Sequence, residues 1–271
     1  MEAPLSEPPA IPGPPPRVYS TGVFDAVSRG WRLVAANIST LWVIGLLAYL
    51  LQAFLGVMGA APYMGALAGL AIAIFAQPPL TAGLVYAIRL RADGRNVRLE
   101  DLFEGFKQRY WQAVVTAFPP LFVGLTGAAL IVAAVLAVLI PMGIWAGVNN
   151  WDTDKIILAI VLGCAAAVPV ALVLMCVMLF FVFTPVAVWD HPESGWAAVK
   201  TSARIVRAHF WSVAGLSLIF AAIYTAAAIA GLLACCVGVF FTIPFALVWH
   251  NATLVHIYRT WTVERPPEDA P

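Results

Sequence analysis

Residues 156–189 read "IILAIVLGCAAAVPVALVLMCVMLFFVFTPVAVW" without a charged side chain, and residues 190–211 continue "DHPESGWAAVKTSARIVRAHFW". The first stretch exceeds the roughly 20 apolar residues that a helix needs to cross a bilayer. The second is a polar island with two serines, two histidines, an aspartate and a glutamate. Three further stretches, 33–88, 110–151 and 208–258, are equally free of Asp, Glu, Lys and Arg. Of these, 33–88 and 208–258 are long enough for two crossings each.

The alternation of runs and islands makes this an integral membrane protein. A chain of 271 residues that is 62% apolar and 11% charged, with a mean hydropathy of +0.90, carries more apolar surface than a soluble core of that size can bury. Backbone groups inside a bilayer find no water, so the spans must be helices or closed barrel strands. Continuous apolarity without alternation selects helices. The expected spans lie near 40–60, 64–88, 117–141, 156–188, 211–231 and 235–258. The fourth run has room to tilt, to protrude, or to break at Pro169.

Orientation follows from the fifteen Lys and Arg residues. Arg17, Arg29 and Arg32 precede the first span. Arg89, Arg91, Arg95, Arg98, Lys107 and Arg109 follow the second, Lys200, Arg204 and Arg207 follow the fourth, and Arg259 and Arg265 end the chain. Lys155 alone falls on the opposite side, so both termini and both large loops are expected in the cytoplasm. The tail "MEAPLSEPPAIPGPPP" has neither a basic leader nor an apolar segment. Residues 1–21 therefore read as a disordered, proline-rich cytoplasmic tail rather than a signal peptide, and 263–271 as a second short tail.

Three short segments show helical amphipathicity ahead of the hairpins. In 23–37, Val23, Val27, Trp31 and Val34 form a stripe opposite Asp25, Ser28, Arg29 and Arg32. In 98–110, Leu99, Leu102, Phe103, Phe106 and Tyr110 lie opposite Glu100, Asp101, Glu104, Lys107 and Gln108. In 194–210, Trp196, Val199, Ala203, Val206 and Phe210 lie opposite Lys200, Arg204 and Arg207, with Ser194 placed to cap the helix. Ala26-Val27 and Arg32-Leu33-Val34 also superpose on Ala198-Val199 and Arg204-Ile205-Val206. The predicted fold is therefore all-α and integral to the membrane: six transmembrane helices as three hairpins, each preceded by a cytoplasmic interfacial helix. The six-span domain covers 22–262, with possible repeats at 23–90, 98–189 and 194–262.

Catalytic chemistry finds little footing. Ser194 has no GxSxG context, and Ser202 precedes His209 by nearly two helical turns, about 10 Å along the axis. The four histidines form no HxH or HExxH pattern, and Cys164, Cys176, Cys235 and Cys236 form no CxxC, so no metal site or cofactor is expected. No phosphate-binding glycine loop is present. Every Asp, Glu, Lys and Arg falls outside the expected spans, which disfavours transport coupled to a buried acid. Of the neutral polar groups inside them, His250 and Asn251 are the leading pair. Kinks at the prolines of "FAQPP", "FTP" and "FTIP" have two readings, a bend that fits the bundle or a broken helix lining a path. GxxxG spacing at Gly65/Gly69 and Gly143/Gly147 favours close packing.

Several segments resemble a known family. "PPLTAGLVYAIRLRADG" (78–94), "LEDLFEGF" (99–106), "TPVAVWDHPESGWAAVKTSARIVRAHFW" (184–211) and "GLLACCVGVFFTIP" (231–244) are similar to the membrane domain attached to some bacterial glycerophosphodiester phosphodiesterases and to related multi-span inner-membrane proteins. The resemblance covers most of 22–262. It implies a bacterial cytoplasmic-membrane protein with a lipid or envelope connection. It does not carry over phosphodiesterase activity, because the catalytic barrel has no counterpart here.

The expected function is therefore non-enzymatic: lipid interaction or scaffolding in the envelope, through Arg29, Arg32, Lys107, Arg109, Lys200, Arg204, Arg207, His250 and Asn251. Membrane phospholipids are the expected partners, with other envelope proteins or a homo-oligomer beside them, and nucleic acid is not. A permease or export component for a small or lipophilic solute is the alternative. The orientation is directly testable: with the four native cysteines replaced by serine, a cysteine at Asp152 should react with an impermeant maleimide in intact cells. A cysteine at Glu268 should react only after lysis, and the reverse pattern would invert the assignment.

Overall fold

The computed structural model describes residues 22–60, 65–149, 153–234 and 238–263, and among them every element is helical. In chain order these are α1 (Val23–Ala36), α2 (Ile38–Ala60), α3 (Gly65–Phe75), α4 (Gln77–Ala92), a 3-10 turn at Leu99–Phe103, α5 (Glu104–Lys107) and α6 (Tyr110–Asn149). There follow α7 (Thr153–Met178), a second 3-10 turn at Leu179–Phe181, α8 (Thr184–Ala187), α9 (Gly195–Ala208), α10 (Phe210–Leu233) and α11 (Val239–Val263). Six stretches are long and apolar enough to cross a membrane: Ile38–Met58, Leu67–Ala92, Tyr110–Met142, Ile157–Ala187, Phe210–Leu233 and Val239–Thr262. The protein is thus an all-α, multi-pass membrane protein built as three hairpins. Both tails, with Arg17 and Arg265, lie outside the described residues, as do Cys235 and Cys236.

Local chemistry sets the element ends. Ser194, in extended conformation, accepts a hydrogen bond from the Trp196 amide at 3.2 Å and opens α9, as its position predicts. Asn37 closes α1 by donating from Nδ2 to the Leu33 carbonyl at 2.8 Å. Gly94 adopts a φ of 76°, the left-handed conformation that glycine takes without steric cost after a helix.

Two spans are interrupted, the fourth just ahead of Pro185 of the FTP motif rather than at Pro169. The second span breaks at Ala76, because Pro78 and Pro79 start α4 and cannot extend the ladder of α3. The fourth passes straight through Pro169 and breaks at 179–183 instead. There the Ser202 hydroxyl of α9 donates to the Phe180 carbonyl at 2.7 Å and accepts from the Phe183 amide at 3.2 Å. A side chain from a neighbouring helix has replaced rungs of the backbone ladder, a recognised cause of helix breaks.

The end of each hairpin's second member that meets the amphipathic segments lies inside. Elements α4, α8 and α11 touch one another pairwise, burying Leu84, Val85 and Ile88 against Val186, Ala187, Leu254 and Tyr258. The first members surround them: α2 rests on α4 and α11, α6 on α4 and α8, and α10 on α11 and the turn at 179–181. The amphipathic segments close the ring in cyclic order. The segment 99–107 lies on α4, α9 lies on α8 and its preceding turn, and α1 lies on α11 at the far end of the chain.

The docking faces share only part of the stripes read in the sequence. Val34, Leu102, Val199 and Val206 are buried as those stripes place them, whereas Trp31 and Trp196 are 43% and 49% exposed, and Leu99, Phe103 and Phe106 are exposed as well. The contacts are completed by small residues beside the stripes, Ala26 and Gly30 of α1, Gly105 of the second segment, and Ala198 and Ser202 of α9. Small residues let the backbones approach, and the half-exposed Trp31 packs edge-on against Phe245 and Trp249 of α11. A methyl group on Gly30 would overlap Thr253, one on Gly105 would overlap the Pro79 carbonyl, and one on Gly83 would overlap the Leu102 carbonyl.

Beyond this closed end the hairpin of α6 and α7 extends with little cover. At 40 residues α6 is about 60 Å long, twice a hydrocarbon core of about 30 Å. Its first turns are held by Ala113, Val114 and Thr116, which are buried, whereas Phe122, Leu130, Val173 and Met175 are exposed.

The close contacts generate a stability prediction. Gly105→Ala should destabilise the protein in detergent by about 2 kcal/mol, the scale of overpacking a tight contact. Gly56→Ala, where nothing lies within 4 Å, should be neutral or stabilising. Thermal unfolding curves that place both variants at the wild-type Tm would contradict the packing.

Candidate functional site

The basic end of the bundle holds nearly all the described polar chemistry. At its centre, Arg89 at the end of α4 donates to Asp190 Oδ1 at 2.7 Å and to the Val186 carbonyl at 3.1 Å. Asp190 lies just past α8, near the buried Tyr258 of α11. The Arg89 guanidinium therefore ties the end of α4 to α8 and the residue that follows it. Arg259 of α11 grips Asp93 with both terminal nitrogens, at 2.6 and 3.0 Å. Two indoles add cross-ties, Trp189 Nε1 to the Ala82 carbonyl at 3.0 Å and Trp249 Nε1 to the Val27 carbonyl at 2.9 Å. With side chains 20 to 48% exposed, each ion pair contributes on the order of 1 kcal/mol or less, so the network fixes geometry more than stability.

The polar island is part of this frame. His191 shares a hydrogen bond with Thr201 at 2.9 Å, and Gln112 Nε2 donates to the Pro192 carbonyl at 2.7 Å. His209 stacks on Trp261 with centroids 4.2 Å apart. The Ser202 hydroxyl is engaged at the break in the fourth span, and no histidine is its partner there. Among the described residues no group of three or more His, Cys, Asp or Glu stands together as a metal cluster.

The cationic residues singled out in the sequence fall into separate places. Lys200, Arg204 and Arg207 are exposed along α9 and line an open depression of about 640 Å³ with Ala203 and Ala208. Lys107 pairs with Glu104 at 3.1 Å. Arg109 is half-buried, and its Nε has no hydrogen-bond partner. On α1, Arg32 is exposed and Arg29 is half-buried with its Nε likewise buried and unpartnered. Arg29 and Leu33 line a smaller cavity of about 170 Å³ with Ala92, Val255, His256 and Arg259. His256 and Arg259 were not among the expected site residues. Their basic character at the end of the last span was legible, but their meeting with α1 depends on ring closure.

His250 and Asn251 do not form a joint site. His250 stacks on Phe220 at 4.5 Å and meets the Tyr224 hydroxyl at 3.4 Å through Nδ1, whereas Asn251 turns back on its own helix and donates to the Leu247 carbonyl at 2.9 Å. Three further cavities lie among the helices. An apolar groove of about 560 Å³ between α2, α10 and α11 is walled by Trp42, Phe241 and Trp249. Another of about 540 Å³ lies between α6 and α7. The third, about 320 Å³, gathers Pro78, Pro120 and Pro185 around Gln77, Thr81, Thr116 and Thr184, and the Thr184 hydroxyl is buried without a partner.

No curated protein and no solved structure matches the chain. One family model does match, and it spans residues 22–258, from the start of α1 into the last turns of α11. Its description carries no activity and makes no link to the phosphodiesterase membrane domains that the motifs resemble. On that match, which covers the whole described bundle except its final residues, the chain belongs to the family described as a domain of unknown function, DUF7847.

Proposed function

We propose that the protein is a non-enzymatic component of the bacterial cytoplasmic membrane that holds anionic phospholipid at the basic end of its bundle and so serves as a lipid-interacting or scaffolding element of the envelope. The observation that carries this reading is the pairing of exposed indoles with cations on the same elements. Trp31 stands with Arg29 and Arg32 on α1, Trp196 with Lys200, Arg204 and Arg207 on α9, and Trp111, 67% exposed, beside Arg109 at the start of α6. Tryptophan settles at headgroup depth, and each Lys or Arg near an anionic surface contributes about 1 kcal/mol of attraction. The positive-inside distribution assigns that end to the cytoplasmic leaflet, where anionic headgroups face it. The resemblance of its motifs to the membrane domain attached to some bacterial glycerophosphodiester phosphodiesterases is in keeping with a lipid connection.

A permease is the second reading, favoured by the proline-lined cavity with its unpartnered Thr184 hydroxyl. The inner contact of α4, α8 and α11 is filled by apolar side chains, and His250 and Asn251 line none of the cavities described above, which supports lipid holding over passage.

Native mass spectrometry of protein released from bilayers of equal phosphatidylglycerol and phosphatidylethanolamine tests the reading. Retained adducts should be predominantly phosphatidylglycerol, and raising salt in the wash should weaken that preference. Equal retention of the two lipids, or none of either, would overturn it.

A further inference from the structure

The cavity between α1, α11 and the end of α4 has the chemistry of a phosphate site. Its volume of about 170 Å³ admits a headgroup phosphate but leaves no room for acyl chains. Arg29 brings to it a half-buried guanidinium whose Nε–H is desolvated and unpartnered, a donor that gains most from an ionised acceptor. Arg259 lines the same cavity, and Arg32 acts on its wall electrostatically.

The acids nearby neutralise this charge only in part. Asp93 is paired with Arg259 through both terminal nitrogens, and Asp25 faces His256 together with Arg29 and Arg32, so the two remaining guanidiniums outweigh the one remaining carboxylate. The carbonyl end of α4 at Ala92 works against an anion, and Arg89 and Arg91 in its last turn counter that pole. The remaining wall is apolar, with Leu33 and Val255. On the outer surface of the same helix Phe24 is 79% exposed, beside the half-exposed Trp31, so acyl chains following the phosphate would meet an apolar flank.

We propose that this cavity binds the phosphate group of an anionic glycerophospholipid, with Arg29 as its principal donor and Arg32 supplying additional charge. The inference rests on the lipid-holding reading and narrows it to one of the basic clusters. The open α9 depression then contributes surface attraction without a defined pocket.

The test compares wild type, Arg29→Gln, Arg29→Lys and the double variant Arg204→Gln/Arg207→Gln in nanodiscs containing phosphatidylglycerol. Loss of one charge-assisted hydrogen bond should weaken retention of the tightest phosphatidylglycerol about tenfold in Arg29→Gln. Retention should fall less in Arg29→Lys and stay near wild type in the double variant. A photoreactive phosphatidylglycerol carried by wild-type protein should cross-link within residues 29–33 or 252–259, a readout independent of whether any variant folds. Cross-linking confined to 200–208, or unchanged retention in Arg29→Gln with loss in the double variant, would overturn the site while leaving the lipid-holding reading intact. No phosphatidylglycerol preference in wild type would overturn both. Inorganic phosphate at millimolar concentration should not displace the lipid, and displacement would reassign the site to free phosphate.

Discussion

The amphipathic segments approach the inner helices most closely where the contacting residue is small. At Gly30 and Gly105 a single added methyl group would overlap Thr253 or the Pro79 carbonyl, and at the corresponding face of α9 the small Ser202 enters the fourth span and bonds both sides of its break. Each of these contacts joins one hairpin to another rather than to itself. Because α1 rests on α11, the two ends of the chain complete a ring, and the remaining architecture follows from it. Three inner elements pack to exclusion of solvent, three outer helices face lipid, and the charged side chains collect at one end.

Turning the small face inward leaves several large aromatic side chains exposed. Trp196, Phe103 and Phe106 stand on the outer surface near lysine and arginine, while Trp31 is half-exposed and packs edge-on against Phe245 and Trp249 of α11. A single packing choice therefore produces both the tight closure and an exposed collar of aromatic and basic side chains. Asp190, paired with Arg89 of the first hairpin, helps fix how the inner elements meet at that end. The polar island thus has structural employment: Asp190 reaches the first hairpin, and Ser202 bonds the break in the fourth span.

Much of this was legible from charge and hydropathy alone. Four charge-free runs, two of them double length, give six spans, because no other backbone arrangement satisfies its hydrogen bonds in hydrocarbon. Ser194 announced the start of α9 by side-chain chemistry that is local to three residues. What failed to show was anything requiring distant partners. The stripes on α1 and α9 marked one apolar face, yet the added contacts at Ala26, Gly30, Ala198 and Ser202 are decided by how closely another backbone approaches. Of the two prolines in the fourth run, Pro169 does not break it and Pro185 lies just past the break, where Ser202 of α9 bonds the freed backbone groups. Of the candidate site, Arg29 was identified by its place on a basic face. Its neighbours His256 and Arg259 come from the opposite end of the chain, and no local pattern relates them.

Ring closure between the first and last hairpins is the claim on which the collar, the cavity at Arg29 and the central junction all depend. It is tested most directly by cross-linking in native membranes with a short bifunctional thiol reagent, in a background where the other cysteines are serine, with cysteines placed at Val27 and Trp249. The Trp249 indole bridges to the Val27 carbonyl in the structure, so a reagent about as long as that side chain should join this pair, and a pair at Val27 and Leu99 should not cross-link. Failure of Val27 to trap Trp249, together with trapping to residues of its own hairpin, would show that α1 does not rest on α11 and would contradict the account.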